Sequence, residues 1–152
     1  MKKNKTIETL NDLIVIFNDR VEGYTLAESE TEEFDLKALF SHFITTSHKC
    51  KQELEQEVTT MGGTVATGTS LSGVFFRVWK YIKKNLFGKD RRTILISCEF
   101  GESLVANAYT KILKNDSRSL NEKQLEMIQR QKSLLQTDQY YLKSFSEVFL
   151  QA

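Results

Sequence analysis

The chain contains no proline among its 152 residues, and it contains only seven glycines. A soluble protein of this length ordinarily carries roughly 7 or 8 prolines. Proline interrupts a helix because it lacks the amide donor and its ring clashes with the preceding turn. Its absence excludes collagen-like and proline-rich chains, and it disfavours an all-β domain with many corners. The composition therefore favours long helices.

Apolar residues recur at alternating spacings of three and four in four long segments, which is the pattern of a helix with one buried stripe. The stripe from Ile7 to Tyr24 runs without interruption. Asp35 is the predicted N-cap of the second helix, and Gly62 and Gly63 end it. The patterns predict long helices over residues 5–31, 35–61, 91–115 and 120–150, and a short amphipathic helix over 71–87.

The lengths of the connections predict how these helices are arranged. Short connections join the first helix to the second and the third to the fourth, so each pair forms an antiparallel hairpin. The connection between the hairpins has about 29 residues and is long enough to travel the length of the bundle. One long crossover between two hairpins is the ferritin-like variant of the four-helix bundle. We therefore predict a single all-α domain over residues 1–152, a ferritin-like four-helix bundle with a short extra helix in its crossover.

Five stretches carry a resemblance to a family: TIETLNDLIVIFNDRVEGY, DLKALFSHF, ELEQEVTTMGG, SGVFFRVWKYIKKNLFGKD and ILISCEFGESLVANAYTKIL. In order and spacing they resemble an uncharacterised bacterial group of small ferritin-like four-helix-bundle proteins, classed as a domain of unknown function. The resemblance covers nearly the whole chain and implies a cytoplasmic bacterial protein, dimeric or larger. It also implies that Glu22, Glu99 and Glu102 are motif residues, and it implies no activity.

The ferritin-like fold raises the hypothesis of a carboxylate-bridged metal site. Such a site takes one Glu from each of two helices and a Glu-x-x-His motif from each of the other two. Neither His42 nor His48 has a Glu three residues before it, so the full motif is absent. A degenerate, oxygen-rich site would suit Fe or Mn. Its candidate ligands are Glu22, Glu99, Glu102 and Glu53.

A structural role for Glu102 is the alternative, and it is the one we favour. Glu102 lies on the apolar stripe of its helix, and a buried charge must be paired. Arg20, Tyr109 or another polar side chain could be its partner. In this interpretation no cofactor is bound, and the polar residues on the stripes form a buried polar layer of Ser47, Glu102, Gln131 and Asp138.

Positive charge is concentrated in residues 71–92, which hold seven basic side chains and one acidic one. An amphipathic contact with an anionic surface or a partner could use this segment, through Arg77, Trp79, Lys80, Lys83 and Lys84. We favour a crossover helix that packs one face on the bundle and leaves its lysines in solvent, over peripheral membrane contact or nucleic-acid binding. The surplus of aromatic residues in the segment favours a homo-oligomer, in the simplest case a dimer.

Other features restrict compartment and activity. The two cysteines are too few for a disulfide scaffold, and the apolar run from Leu13 to Phe17 is too short for a signal peptide or a membrane span. We predict a cytoplasmic protein in which both thiols are reduced and behave as small apolar groups. Nucleophile elbows and phosphate loops are absent. Because the Glu-x-x-His pairs are also missing, we favour a non-enzymatic bundle that acts through self-association or partner binding, with a stress-related role. The alternative is a metal-binding or degenerate di-iron oxidase-like protein.

Overall fold

The computed structural model of the chain describes residues 2–69 and 91–151. Over these ranges the chain is all-helical and has no strand. The helices are α1 (Lys2–Glu30), α2 (Phe34–Thr60), α3 (Arg91–Asn115) and α4 (Glu122–Gln151), and a 3₁₀ turn covers Ser117–Ser119. The predicted short helix over 71–87 lies outside the described residues. No helix in the described ranges is apolar enough over a sufficient length to cross a membrane.

Both ends of α3 match the predicted ends, and the ends of the other three helices differ from them by one to three residues. α1 begins at Lys2 rather than residue 5, because nothing in the lysine-rich start interrupts a helix. The prediction that Asp35 caps α2 is wrong. Glu33 occupies the N-cap position without a side-chain bond, and Asp35 lies in the first turn, where its carboxylate accepts a hydrogen bond from the Leu36 amide at 2.9 Å.

A capping box determines where α4 begins. The Gln124 amide donates to Asn121 Oδ1 at 2.8 Å, and the Asn121 amide donates to Gln124 Oε1 at 3.0 Å. This reciprocal pair satisfies two amides that have no partner within the helix. Gln124 Nε2 also donates to Glu57 Oε1 at 3.3 Å. The start of α4 is therefore attached to the end of α2, and the helix begins at Glu122 rather than residue 120.

α2 ends in a Schellman motif built on two glycines. Gly62 has a φ of 77°, which a residue with a side chain rarely adopts. Its amide donates to the Thr59 carbonyl at 2.9 Å, and the Gly63 amide donates to the Val58 carbonyl at 2.9 Å. These bonds satisfy carbonyls that the helix leaves unpaired. The glycine pair therefore ends the helix at the place that the sequence indicates.

Contacts between helix ends give the directions of the helices. Arg91 at the start of α3 pairs with Asp35 at the start of α2, with 2.9 Å between Nη2 and Oδ2. Lys5 near the start of α1 pairs with Asp116 just beyond α3 at 3.8 Å. α2 and α3 therefore run parallel, and α1 and α4 run in the opposite direction. The connection from α2 to α3 must join opposite ends of the bundle.

The first part of that connection runs along α1. Asn11 Nδ2 donates to the Thr64 carbonyl at 2.9 Å, and Asn11 Oδ1 accepts the Ala66 amide at 2.8 Å. Further along α1, Asn18 Nδ2 donates to the Gly68 carbonyl at 2.7 Å. Residues 63–69 thus advance along α1 in its own direction, away from the end of α2. This direction is the one that a crossover to the start of α3 requires.

The core consists of two apolar clusters stacked along the bundle axis. In the first, Phe17 of α1 contacts Tyr109 of α3 edge-to-face at a ring separation of 6.2 Å. In the second, Tyr24 stacks on Phe40 of α2 at 5.6 Å. Each of the four helices contributes to both clusters. The level at which one cluster gives way to the other is the level of the candidate site.

Candidate functional site

A polar layer separates the two apolar clusters. In each helix a fully or almost fully buried polar residue lies between a residue of the first cluster and a residue of the second. These residues are between 0 and 2% exposed, although three of them are ionisable. We call them, together with the Tyr24 hydroxyl, the Arg20 layer: Arg20, Tyr24, Ser47, Glu102 and Asp138.

The Arg20 guanidinium is the centre of this layer. Its Nε donates to Glu102 Oε1 at 2.9 Å, and its Nη2 donates to Asp138 Oδ2 at 3.0 Å. Its Nη1 donates to Ser47 Oγ at 2.8 Å and to the Phe43 carbonyl at 3.2 Å. Every guanidinium nitrogen therefore has an acceptor, and one side chain of α1 is bonded to all three other helices.

Aromatic rings enclose the guanidinium. The Arg20 carbon Cζ lies 5.2 Å from the ring centre of Tyr24 and 5.3 Å from that of Phe43, within the range of a cation–π contact. The Tyr24 hydroxyl donates a short hydrogen bond to Glu102 Oε1. Burial, together with the negative charge of Glu102, raises the pKa of Tyr24 well above its ordinary value. The hydroxyl therefore remains protonated and acts as a donor.

Besides the Tyr24 phenol, the ionisable groups of the layer are one guanidinium and two carboxyls. Burial alone would lower the pKa of Arg20, but the charges of Glu102 and Asp138 outweigh it and raise that pKa. Burial raises the pKa of Asp138, and Arg20 opposes this increase only in part. Asp138 Oδ1 also lies 3.2 Å from Nε2 of His42, whose side chain is 54% exposed. His42 thus connects the layer to solvent.

The raised pKa of Asp138 predicts how stability depends on pH. Between the ordinary value of 3.8 and the raised value, the native state binds more protons than the unfolded chain. The free energy of unfolding therefore decreases as pH rises through this interval. We expect the stability of the wild type relative to Asp138→Asn to decrease as pH rises above the ordinary carboxyl pKa of 3.8, as measured in urea titrations. A difference that is constant with pH would contradict this.

Gln131, which the sequence assigns to the same polar layer, is buried but belongs to a second network. Its Oε1 accepts the Tyr109 hydroxyl at 3.0 Å, and its Nε2 donates to the Cys50 carbonyl at 3.2 Å and to Glu53 Oε1 at 3.3 Å. Glu53 also pairs with both terminal nitrogens of Arg130, at 2.8 and 3.2 Å. Burial would raise the pKa of Glu53, but the hydrogen bonds from Arg130 and Gln131 lower it.

The four candidate metal ligands lie in different environments. Glu22 is exposed on α1, Glu99 is half-buried beside a groove between α3 and α4, and Glu53 is paired with Arg130. Only Glu102 lies in the Arg20 layer, where Arg20 occupies the space between the two carboxylates. Among the residues that the structure describes, no three His, Cys, Asp or Glu side chains are grouped so that they could hold a metal ion. The residues that the structure describes therefore do not fit a carboxylate-bridged metal centre.

The remaining residues singled out by the sequence are the two cysteines and those of the basic segment. Cys50 and Cys98 are free and buried. Burial raises the pKa of Cys50 to about 11 and that of Cys98 well above its ordinary value, so both remain protonated thiols. The five residues of the predicted partner contact lie outside the described residues: Arg77, Trp79, Lys80, Lys83 and Lys84.

One family model matches most of the chain. It is described as a domain of unknown function, DUF2383, and it matches residues 5–115. The chain belongs to the DUF2383 family. The DUF2383 match contains every member of the Arg20 layer except Asp138, which α4 supplies beyond the matched region. No curated protein and no solved structure matches the chain.

The sequence reasoning missed a surface feature inside the DUF2383 region. On the side of α3 away from the core, Ile96 is 53% exposed, Phe100 52% and Leu104 36%. Their spacing of four residues, offset from the buried stripe, is the signal that could have indicated this surface. The exposed positions on this side between 93 and 107 are uncharged, and the half-buried Glu99 lies at their edge. We call it the α3 face: Thr93, Ile96, Phe100, Ser103, Leu104 and Asn107.

Proposed function

We propose that this DUF2383 protein is a non-enzymatic helical bundle that acts by associating with a protein, either itself or a partner, through the α3 face. The observation that carries the proposal is the half-exposed Phe100 at the centre of an uncharged face. Single exposed apolar residues are common on soluble proteins, but contiguous apolar patches mark interaction sites. Aromatic enrichment and depletion of charge are the compositional features of interface cores.

A ferritin-like relationship is part of the proposal. The two parallel helices α2 and α3 are joined across the length of the bundle, and this arrangement supports the ferritin-like order of helices. We propose that the bundle has kept this order without a metal centre. In place of a metal, Arg20 supplies the positive charge between the carboxylates of Glu102 and Asp138.

The Arg20 layer supports a structural rather than a catalytic use of the buried carboxylates. Arg20 and Tyr24 both donate to Glu102, and Arg20 and His42 contact the two oxygens of Asp138. A metal ion bound between the carboxylates would have to displace a buried guanidinium that cannot lose its proton. Fe or Mn binding is therefore the less favoured alternative.

Site-specific photo-crosslinking in cells that produce the protein tests the proposed surface. A photoreactive phenylalanine analogue at position 100 is expected to form a covalent adduct with a protein, whether that protein is a second copy or another chain. The control is the same analogue in place of Thr45, which is exposed on α2 outside the α3 face. Equal adduct formation at both positions, or none at position 100, would contradict the proposal.

A further inference from the structure

We propose that the α3 face is occupied by the α3 helix of a second copy, packed antiparallel about a two-fold axis at Phe100. This inference rests on the proposed function and names its partner. A two-fold interface uses the same patch on both subunits, so the patch must be complementary to itself. The order of residues on the α3 face satisfies that requirement.

The complementarity follows from spacing about Phe100. In an antiparallel pair centred there, a residue four positions before Phe100 faces a residue four positions after it in the other copy. Ile96 therefore meets Leu104 of the second copy, and the two Phe100 rings meet at the axis. Thr93 similarly meets Asn107 of the second copy. Apolar groups thus lie at the centre and uncharged polar groups at the ends, which is the arrangement of an interface core and rim.

Charge distinguishes this face from the outward faces of the other helices. A charged residue at a two-fold axis meets its own copy, so like charges close to the axis repel each other. Exposed charges lie on the outward sides of α1 (Asp12), α2 (Lys49) and α4 (Lys143). The six positions of the α3 face carry none. The nearest charges on α3, Glu99 and Lys111, lie at the edge of the face and beyond its end, so the residues that meet at the axis are uncharged.

The size of the face predicts the strength of the association. Fifteen residues of helix are about 22 Å long. A groove of about 660 Å³ adjoins the face at Ser103, but its walls carry the charges of Glu99 and Lys143 beside the 77% exposed Tyr140, so it adds little apolar contact. A contact made by one helix face of this length is at the low end of the size range of protein interfaces. We therefore expect a reversible dimer with a Kd on the order of micromolar.

Sedimentation velocity of the purified full chain tests the dimer. The wild type is expected to change from monomer to dimer over a concentration series around the Kd. Phe100→Glu places two like charges at the axis and is expected to raise the Kd by more than about tenfold. Thr45→Glu adds the same charge outside the face and is expected to leave the Kd unchanged. A wild type that remains monomeric up to about a hundred times the expected Kd would overturn the proposal.

Cysteine crosslinking tests the register. Oxidised Phe100→Cys is expected to form a disulfide-linked dimer, whereas Leu104→Cys alone is not, because its two copies lie about 12 Å apart along the helices. A mixture of Ile96→Cys and Leu104→Cys is expected to crosslink as a heterodimer. The wild type, with its two buried thiols, is the control. Equally efficient crosslinking of Leu104→Cys alone would overturn the antiparallel register.

The two proposals can fail separately. A monomeric purified protein whose position 100 still forms an adduct with a different chain in cells overturns the second copy as the occupant and leaves the proposed function standing. A monomeric protein with no adduct in cells overturns both.

Discussion

Replacing Arg20 with methionine is expected to lower the free energy of unfolding by about 3–5 kcal/mol at neutral pH. The substitution preserves much of the apolar stem of the side chain but removes the guanidinium. Glu102 and Asp138, 1 and 2% exposed, would then face each other without a counter-charge. The Ser47 hydroxyl and the Phe43 carbonyl would also lose a donor. Urea denaturation at neutral pH measures the loss.

Arg130→Met is the matched control for this experiment. Arg130 also binds a carboxylate with two nitrogens, but its side chain is 52% exposed and its partner Glu53 is 29% exposed. Water can replace the lost contact, so we expect a loss of about 1 kcal/mol or less. Equal losses of stability in the two variants would mean that burial does not increase the contribution of the Arg20 layer to the free energy of unfolding.

The second large effect is expected from Glu102→Leu, at about 2–4 kcal/mol. The Tyr24 hydroxyl and the Arg20 Nε would both lose their acceptor in the interior. The loss is smaller than for Arg20→Met because Asp138 still neutralises the guanidinium. Chemical denaturation at neutral pH provides the measurement.

A double-mutant cycle with Tyr24→Phe separates the hydroxyl from the charge. In the wild type, Tyr24→Phe removes a satisfied hydrogen bond and is expected to cost about 1–2 kcal/mol. With Leu at position 102 the hydroxyl has already lost its acceptor, so the same change is expected to cost nearly nothing or to stabilise the protein. Strict additivity of the two substitutions would mean that the short Tyr24–Glu102 contact contributes no stability.

The sequence predicted the elements of the bundle better than the partners inside it. Periodicity identifies which face of a helix is buried, so Glu102 was recognised as a carboxylate on a core stripe. Periodicity does not give the axial level at which neighbouring helices meet. The sequence therefore left Arg20, Tyr109 and other polar groups open as partners of Glu102. The structure assigns Arg20 to Glu102 and brings Tyr109 to Gln131 instead.

The same limitation explains why residues that were predicted to share a site lie in different environments. Asp138 and Gln131 share one stripe of α4, but seven residues place them about 10 Å apart along the axis, so they contact different neighbours. Glu22 and Glu99 lie close in sequence to buried positions, yet the rotation of about 100° per residue turns Glu22 outward and leaves Glu99 only half-buried. Local spacing alone could not separate these cases.

We propose that Glu102 and Asp138 serve as counter-ions of Arg20 and not as metal ligands. Protein purified without chelator, reloaded with Fe(II) or Mn(II), dialysed and analysed for metal tests this directly, with Glu102→Gln analysed in parallel. We expect a metal content near zero in both proteins, and we expect that adding metal leaves the free energy of unfolding of each protein unchanged. About one or two equivalents of metal per chain in the wild type, lost in Glu102→Gln, would contradict it.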